Sequence, residues 1–434
     1  MITFWFIFGR LFSVGVQMKT CFESPLLSLR RGIGITVIAG FTAAVFTHVH
    51  QAQAQNLNHF ISNLYGGQGI TLADTPPPIP THAHHFTEES IDALNSLGNS
   101  IASGLNLTSA PSTAAIGFTY NLELGLPVAT TESLGTILGE RAETIGAGNL
   151  NIAATYSHVK FTDFNGTPLN DVSIFLDHGP VPGCTIQSCF GLPNGGDFLK
   201  DQIRLDINLD IKQDVFALYG TYGITSNWDA TVILPIVHTH AFATSDATII
   251  YNSVTGRSFH TFVGAPTSPH STSGGNATGV GDLVLHTKYN FLKGDPSLPD
   301  LAVAGIVKVP TGDKNNLLGT GSTDLLGLLI LSKQIDWVAP HLNAGYQQAI
   351  AGLDKNAFIY AAGADFRFDS KLTPVVDFVG RVYSANQQFH DVSVGVKWNP
   401  FGNSVFSVNF LLPINQSSGL RPNYIASVGY QISF

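Results

Sequence analysis

The chain has 434 residues, only 12% of them charged, with 21 Lys and Arg against 30 Asp and Glu for a net charge of −9. A soluble domain carries roughly 25% charged residues, and the acidic balance offers no basic stripe to neutralise phosphates, so nucleic acid is excluded as a partner. Apolar residues make up 44%, and 44 Gly with 22 Pro over this length fit neither a disordered tail nor a collagen repeat.

Arg30-Arg31 precede an apolar run from Gly32 to Phe46 and the cleavage pattern Ala52-Gln53-Ala54. Residues 1–54 are therefore expected to be a signal peptide, with Met18 an alternative start and the mature chain beginning near Gln55. The apolar run is shorter than the ~20 residues of a membrane-spanning helix, and no later segment is apolar enough to be one. Cys184 and Cys189 lie close together, and in an oxidising compartment they are expected to form a local disulfide.

Residues 55–115 differ from the rest. Thr75-Pro76-Pro77-Pro78-Ile79-Pro80 is a stiff linker by composition. Thr87-Glu88-Glu89-Ser90 then opens a helical pattern with Ile91, Leu94, Leu97 and Ile101 on one side. This segment is expected to be periplasmic or to plug a lumen. His82, His84 and His85 beside the linker have no acidic or cysteine partner nearby, so they read as a solvated stretch; neither a metal site nor a cofactor is expected.

From Asn149 onward the pattern alternates with period two, which means strands. In the last segment Tyr424, Ala426, Val428, Tyr430, Ile432 and Phe434 share one face, against Asn423, Ser427, Gly429, Gln431 and Ser433. The spacing predicts twelve strands, at 149–161, 203–223, 228–243, 279–293, 300–310, 322–332, 337–350, 357–368, 372–384, 389–398, 404–413 and 423–434. A hairpin between Gly117 and Val128 would raise the number to fourteen. Connections are long at 162–202 and 244–278 and short at 224–227 and Asp369-Ser370-Lys371, the asymmetry of outer-membrane barrels. Trp228, Tyr289, Trp398, Tyr424, Tyr430 and Phe434 sit where apolar faces end, which suits a membrane–water boundary. A sheet in hydrocarbon has no open edge. The fold class expected is all-β: a transmembrane antiparallel up-and-down β-barrel over 149–434, with a short, partly helical N-terminal segment.

Tyr222-Gly223-Ile224-Thr225-Ser226-Asn227-Trp228-Asp229 with Leu234-Pro235, and Gly281-Asp282-Leu283-Val284-Leu285-His286-Thr287-Lys288-Tyr289, occur in order with Val307-Lys308-Val309-Pro310-Thr311-Gly312-Asp313 and Leu318-Gly319-Thr320-Gly321. Upstream lies Gly139-Glu140-Arg141-Ala142-Glu143-Thr144-Ile145-Gly146-Ala147-Gly148. Over residues 116–434 the chain resembles the "phenol degradation meta-pathway" family of outer-membrane channels. That resemblance implies a porin-like transporter linked to hydrophobic or aromatic compounds, with residues 116–148 as the entry segment to the barrel. The ending Tyr430, Ile432, Phe434 resembles the signature read by the bacterial barrel-assembly machinery.

If the apolar face meets the lipid bilayer, the opposite face lines the interior. The pore-lining candidates are then Lys288, Lys308, His341, Asn343, Asp365, Arg367, Asp377, Arg381 and Lys397, with Arg204, Asp206, Asn208, Asp210 and Lys212 inside or on an extracellular extension. A mixed-sign polar conduit for small solutes is expected, narrowed by residues before Asn149 or by the loop 162–202, with Arg367 and Arg381 as an anion-attracting patch. Competing readings are a barrel hydrolase acting on lipid, using His238, His240, Ser245 and Asp246, and an adhesive surface barrel using the two long loops. No G-x-S-x-G elbow is present, so no catalytic residue is assigned.

Overall fold

The computed structural model describes residues 56–74, 83–105, 118–121, 126–129, 134–178, 201–252, 260–263, 269–294, 297–350, 355–384 and 387–433. Residues 1–54, expected to be a signal peptide, the Pro-rich linker, His82, Cys184, Cys189 and Phe434 lie outside them.

Twelve strands form the barrel: β1 Leu150–Phe164, β2 Gln202–Thr225, β3 Trp228–Ile250, β4 Leu283–Leu292, β5 Asp300–Val309, β6 Asp324–Ser332, β7 Val338–Ala349, β8 Ala357–Phe366, β9 Leu372–Tyr383, β10 Gln388–Trp398, β11 Ser404–Pro413 and β12 Leu420–Ser433. Each pairs antiparallel with its chain neighbours. The ring closes because β1 pairs with both β2 (Leu150↔Tyr222) and β12 (Asn151↔Ser433). Phe118–Asn121 and Leu126–Ala129 pair with each other in a separate sheet, so this hairpin adds nothing to the ring. The "lower" end of the barrel is the one carrying Ser433 and the turn 226–227.

Both long connections contain strands among their described residues, contrary to expectation. β3 runs on to Ile250, and His270–Val280 returns along its upper half (Ile236↔Val280, Asp246↔His270). Gly281-Asp282 then separates this strand from β4, which pairs with the lower half of β3 (Trp228↔Tyr289). Val172–Leu176 likewise pairs with the top of β2, and Thr167–Pro168 with the end of β1. There Asn165 and Gly166, both at positive φ (52° and 82°), make the tight turn this dipeptide favours. The Ser/Thr/Gly/Asn composition of 270–280 reads as loop, yet β3 offers it a ready row of backbone partners, and strand preference yields to such context.

Alternation places even-numbered residues of β2 and β3 outward and odd-numbered ones inward, and the polarity of the two faces inverts partway up. In the lower half the outward residues are apolar: Phe216, Leu218, Tyr222 and Ile224 on β2, and Val232, Leu234 and Ile236 on β3. Above Asp214 and His238, paired at the same level, the outward residues become Lys212, Asp210, Asn208, Asp206 and Arg204. The inward residues there are Gln213 and then Ile211, Leu209, Ile207, Leu205 and Ile203, all buried. The lower outward band continues around the barrel through Leu285, Val303, Leu329, Leu342, Phe378, Val394 and Phe410, each more than a third exposed. From Trp228 to Ile236 is nine residues, the length of a tilted membrane-crossing strand, and exposed apolar area on this scale calls for lipid. Trp228, Tyr289 and Trp398 stand exposed at its lower edge and Tyr424 at its upper edge, while Tyr430 is buried against Phe406. Among the described residues no helix is long and apolar enough to cross a membrane.

Above the band, the inward apolar faces of β1, β2 and β3 meet the N-terminal segment. α1 (Thr87–Leu105) buries Leu94, Ile101 and Leu105, and the preceding turns bury Leu57, Phe60, Ile61 and Leu64 in one cluster with Phe161, Ile203, Leu209, Val237 and Ala241. Glu88 and Glu89 in the first turn of α1 complement its dipole. Ser90 Oγ anchors the helix start by accepting from the Ile70 N–H at 2.9 Å.

Candidate functional site

Residues 134–148 run through the lower lumen, held by side chains from seven strands. The Leu134 N–H donates to Thr373 Oγ1 (3.0 Å), Leu138 N–H to Asp377 Oδ2 (3.1 Å), Glu140 N–H to Asn343 Oδ1 (2.7 Å) and Ala142 N–H to Ser332 Oγ (3.0 Å). In return, Lys397 Nζ donates to the Leu134 carbonyl, Asn343 Nδ2 to Glu140, Lys288 Nζ to Arg141 and Asn290 Nδ2 to Ala142. Only a segment inside the barrel can meet β4, β6, β7, β9 and β10 together. It leaves through Ile145, whose N–H donates to Asp229 Oδ2 on β3, and through a two-way backbone pairing of Gly148 and Asn149 with Gly223. This is the Gly139–Gly148 motif, and its role is that of a plug.

Buried charge on the plug is matched by the wall. Arg141, 3% exposed, pairs with Glu143 at 2.5 Å and with Asp365 of β8 at 3.3 Å. Glu140 lies 3.3 Å from His286 and 3.9 Å from Lys288. Burial by itself raises the Glu143 carboxyl, but the Arg141 guanidinium, helped by hydrogen bonds and Lys288, outweighs it and leaves the pKa below the ordinary carboxylate value. Gly139 packs against the His341–Asp377 pair (2.7 Å), and any side chain there would run into the imidazole.

Higher in the barrel, a knot of hydrogen bonds joins the motifs at 281–282, 311–313 and 318–321. Asp282 accepts from the Gly312 N–H (3.0 Å), the Thr320 N–H (2.8 Å) and Thr320 Oγ1 (2.8 Å). Thr311 Oγ1 donates to the Gly281 carbonyl (2.7 Å). Gly312 and Gly319 approach so closely that neither has room for a Cβ. The knot turns Leu317 and Leu318 inward, and the Leu317 carbonyl accepts from Thr239 Oγ1 at 3.0 Å. Nearby, Tyr65 donates to Ser245 Oγ (2.8 Å), and burial pushes its hydroxyl up to about 12.

Between plug and knot lies a cavity of about 330 Å³. Its floor is Leu138 and Glu140, and its walls include Ile233, Val237, Val284, Ile306, Leu326, Leu328, Ile359, Val379, Leu411 and Ile425. The charges on its rim are paired: Lys308 with Asp324 at 2.6 Å, and Arg421 with Asp391. Arg381 donates to Tyr383 Oη at 3.1 Å. The expected polar conduit is therefore corrected: at mid-height the lumen is mainly aliphatic, because inward positions of β3, β4, β5 and β6 alternate to Ile, Val and Leu above the plug.

Of the nine pore-lining candidates, Lys308, Asn343 and Arg381 border the cavity. Lys288, His341, Asp365, Asp377 and Lys397 are buried against the plug or beside it. Arg367 lies past the lower end of β8, its N–H bonded to the Trp337 carbonyl. Arg381 faces Ile359 near the upper end of β8, eight residues away, or roughly 26 Å at ~3.3 Å per residue; the two arginines form no patch. Glu140 and Arg141, which belong to the Gly139–Gly148 motif, are not among the predicted pore-lining residues. The available signal was two adjacent charges, with Glu143 close by, in a chain so poor in charge.

The four hydrolase candidates do not converge. His238 and His240 face outward to Thr278 (2.6 Å) and Asn276 (2.8 Å), whereas Ser245 is buried inward against Tyr65. Asp246 is outward too, 3.0 Å from His270.

No protein-family model matches the chain, and no curated protein matches it. Solved structures similar to it include an outer-membrane channel from Pseudomonas putida F1 (TM-score 0.42, 11% identity, covering 68% of this chain and 98% of that one). Also similar are the Ralstonia pickettii toluene transporter (TM-score 0.33, 11% identity, covering 67% and 90%) and a monoaromatic hydrocarbon channel (TM-score 0.32, 9% identity, covering 67% and 89%).

Proposed function

We propose that the protein is an outer-membrane channel for passive passage of small hydrophobic compounds, monocyclic aromatics foremost. The observation that carries this reading is the aliphatic cavity inside a lipid-girdled barrel. An apolar cavity of ~150 Å³ already holds benzene, so about 330 Å³ accepts a substituted ring. Twelve strands lie between the eight that side chains fill and the sixteen that leave an open aqueous pore, in keeping with a gated, narrow route. Lys308 and Arg381 serve as rim residues that orient a polar substituent, while the plug blocks free flow of water and ions.

The test is solute flux into proteoliposomes containing the full chain. A monoaromatic hydrocarbon should equilibrate faster than a sugar of similar size, and Ile306→Arg, which puts a charge into the cavity wall, should abolish the difference. Equal permeation of both solutes, or of neither, would sink the proposal.

A further inference from the structure

Three histidines from three distant segments meet above the membrane band. His85 lies two residues before α1, His178 follows Val172–Leu176, and His260 lies in the connection beyond β3. One nitrogen of each lies within 4.8 Å of the others. His85 Nδ1 and His178 Nε2 are 2.6 Å apart. The His178 and His260 rings stand 5.1 Å apart, and Phe86, fully buried, packs edge-on against both at 5.4 and 5.6 Å.

A second observation points to a ligand. His260 Nδ1 lies 2.9 Å from Asp201 Oδ2, both side chains fully buried, and Asp201 also accepts from the Asn252 N–H at 3.0 Å. A carboxylate held in this way fixes the Nδ1–H tautomer and leaves Nε2 as the lone-pair nitrogen, the arrangement that commonly backs a metal-bound imidazole. At 2.6 Å, His85 and His178 are hydrogen-bonded to each other. A tetrahedral ion with bonds of ~2.0–2.1 Å would sit between nitrogens ~3.3 Å apart, so the His85–His178 pair opens from 2.6 Å and the nitrogens as much as 4.8 Å apart draw in as the ion takes the place of that hydrogen bond.

We propose that His85, His178 and His260 bind a borderline divalent transition ion, Zn²⁺ in particular, with the fourth position open to solvent. Three imidazoles select this class over Mg²⁺ or Ca²⁺, which prefer oxygen ligands. The ion clasps the N-terminal segment to both long connections, joining residues 93 apart in the first step alone. The proposal is independent of the solute the channel carries.

The experiment uses the full chain without a polyhistidine tag, stripped with chelator and titrated with Zn²⁺, and with Co²⁺ for its visible absorption. One ion per chain should bind, with a tetrahedral Co²⁺ spectrum. His85→Ala and His178→Ala should each weaken binding at least tenfold, and Asp201→Asn about 10- to 100-fold. The exposed His84→Ala should leave binding unchanged. Zn²⁺ should also slow proteolysis of residues 56–105 in the parent chain but not in His178→Ala. Absence of saturable binding, or binding that survives the His85→Ala/His178→Ala double substitution, would overturn the proposal. Should a variant fail to fold, as read from heat-dependent gel migration, the parent spectrum decides alone: Co²⁺ without an imidazole-type tetrahedral band refutes the site.

Discussion

The upper and lower halves of the lumen are filled by opposite chemistries. In the upper half, α1 and the turns before it bury Leu57, Ile61, Leu94 and Ile101 against the aliphatic inner faces of β2 and β3. In the lower half, residues 134–148 are suspended by hydrogen bonds and buried ion pairs to Asp365, Asp377, Asn343, Lys288 and Lys397. The difference follows from what lies outside. Beyond the band the outer face meets water, so β2 and β3 fold as soluble strands with charges out and oil in. Within the band the outer face must be apolar, so polar residues are confined to the lumen, where a polypeptide backbone can satisfy them. Non-directional packing holds the upper filler, and directional bonds hold the lower one. The lower filler is therefore the more sensitive to single substitutions.

The largest effect is expected from Arg141→Ala. Removing the guanidinium leaves Glu143 and Asp365 as buried carboxylates without it, a change costing about 3–5 kcal/mol. Planar-bilayer conductance should rise severalfold while the barrel keeps its heat-dependent gel shift; unchanged conductance would mean the plug does not gate. Leu94→Ala should cost the upper filler about 2–5 kcal/mol, seen as faster proteolysis of 56–105 with little change in conductance. If conductance rose as much as in Arg141→Ala, the two halves would not be independent. Asp377→Asn weakens its bonds to His341 and Leu138, about 1–3 kcal/mol, and should give brief openings rather than a permanently open state.

Acid should act in the same direction, more mildly. The folded pKa of Glu143 lies below its unfolded value, so its contribution is complete above the unfolded pKa and is lost as pH falls through the depressed folded one. Conductance should thus climb as pH drops below the ordinary carboxylate range, and Glu143→Gln should flatten that rise. A pH profile identical in Glu143→Gln would assign the titration to another group.

Strand positions were legible in the sequence because alternation is a local record of a two-faced environment. The ends of β5, β7, β9 and β11 fall within a residue or two of the predicted ones. Legibility failed where the two-faced environment changed. On β2, the charges from Arg204 to Lys212 could be assigned to either face until the pairing showed them outside. The strand His270–Val280 carries almost no apolar pattern, so nothing local announced it. The plug was visible as a motif but not as a lumenal occupant, since its partners come from strands up to 263 residues away.

The sequence by itself determined that this chain is an all-β barrel of about twelve strands with a lipid-facing band, because side-chain period and segment length are properties of neighbouring residues. Only the tertiary structure decided what fills the lumen: a polar plug below, a helix-bearing apolar cap above, an aliphatic cavity between, and three histidines brought to one point. Those features depend on which distant strands stand opposite one another, and closure of the ring sets that.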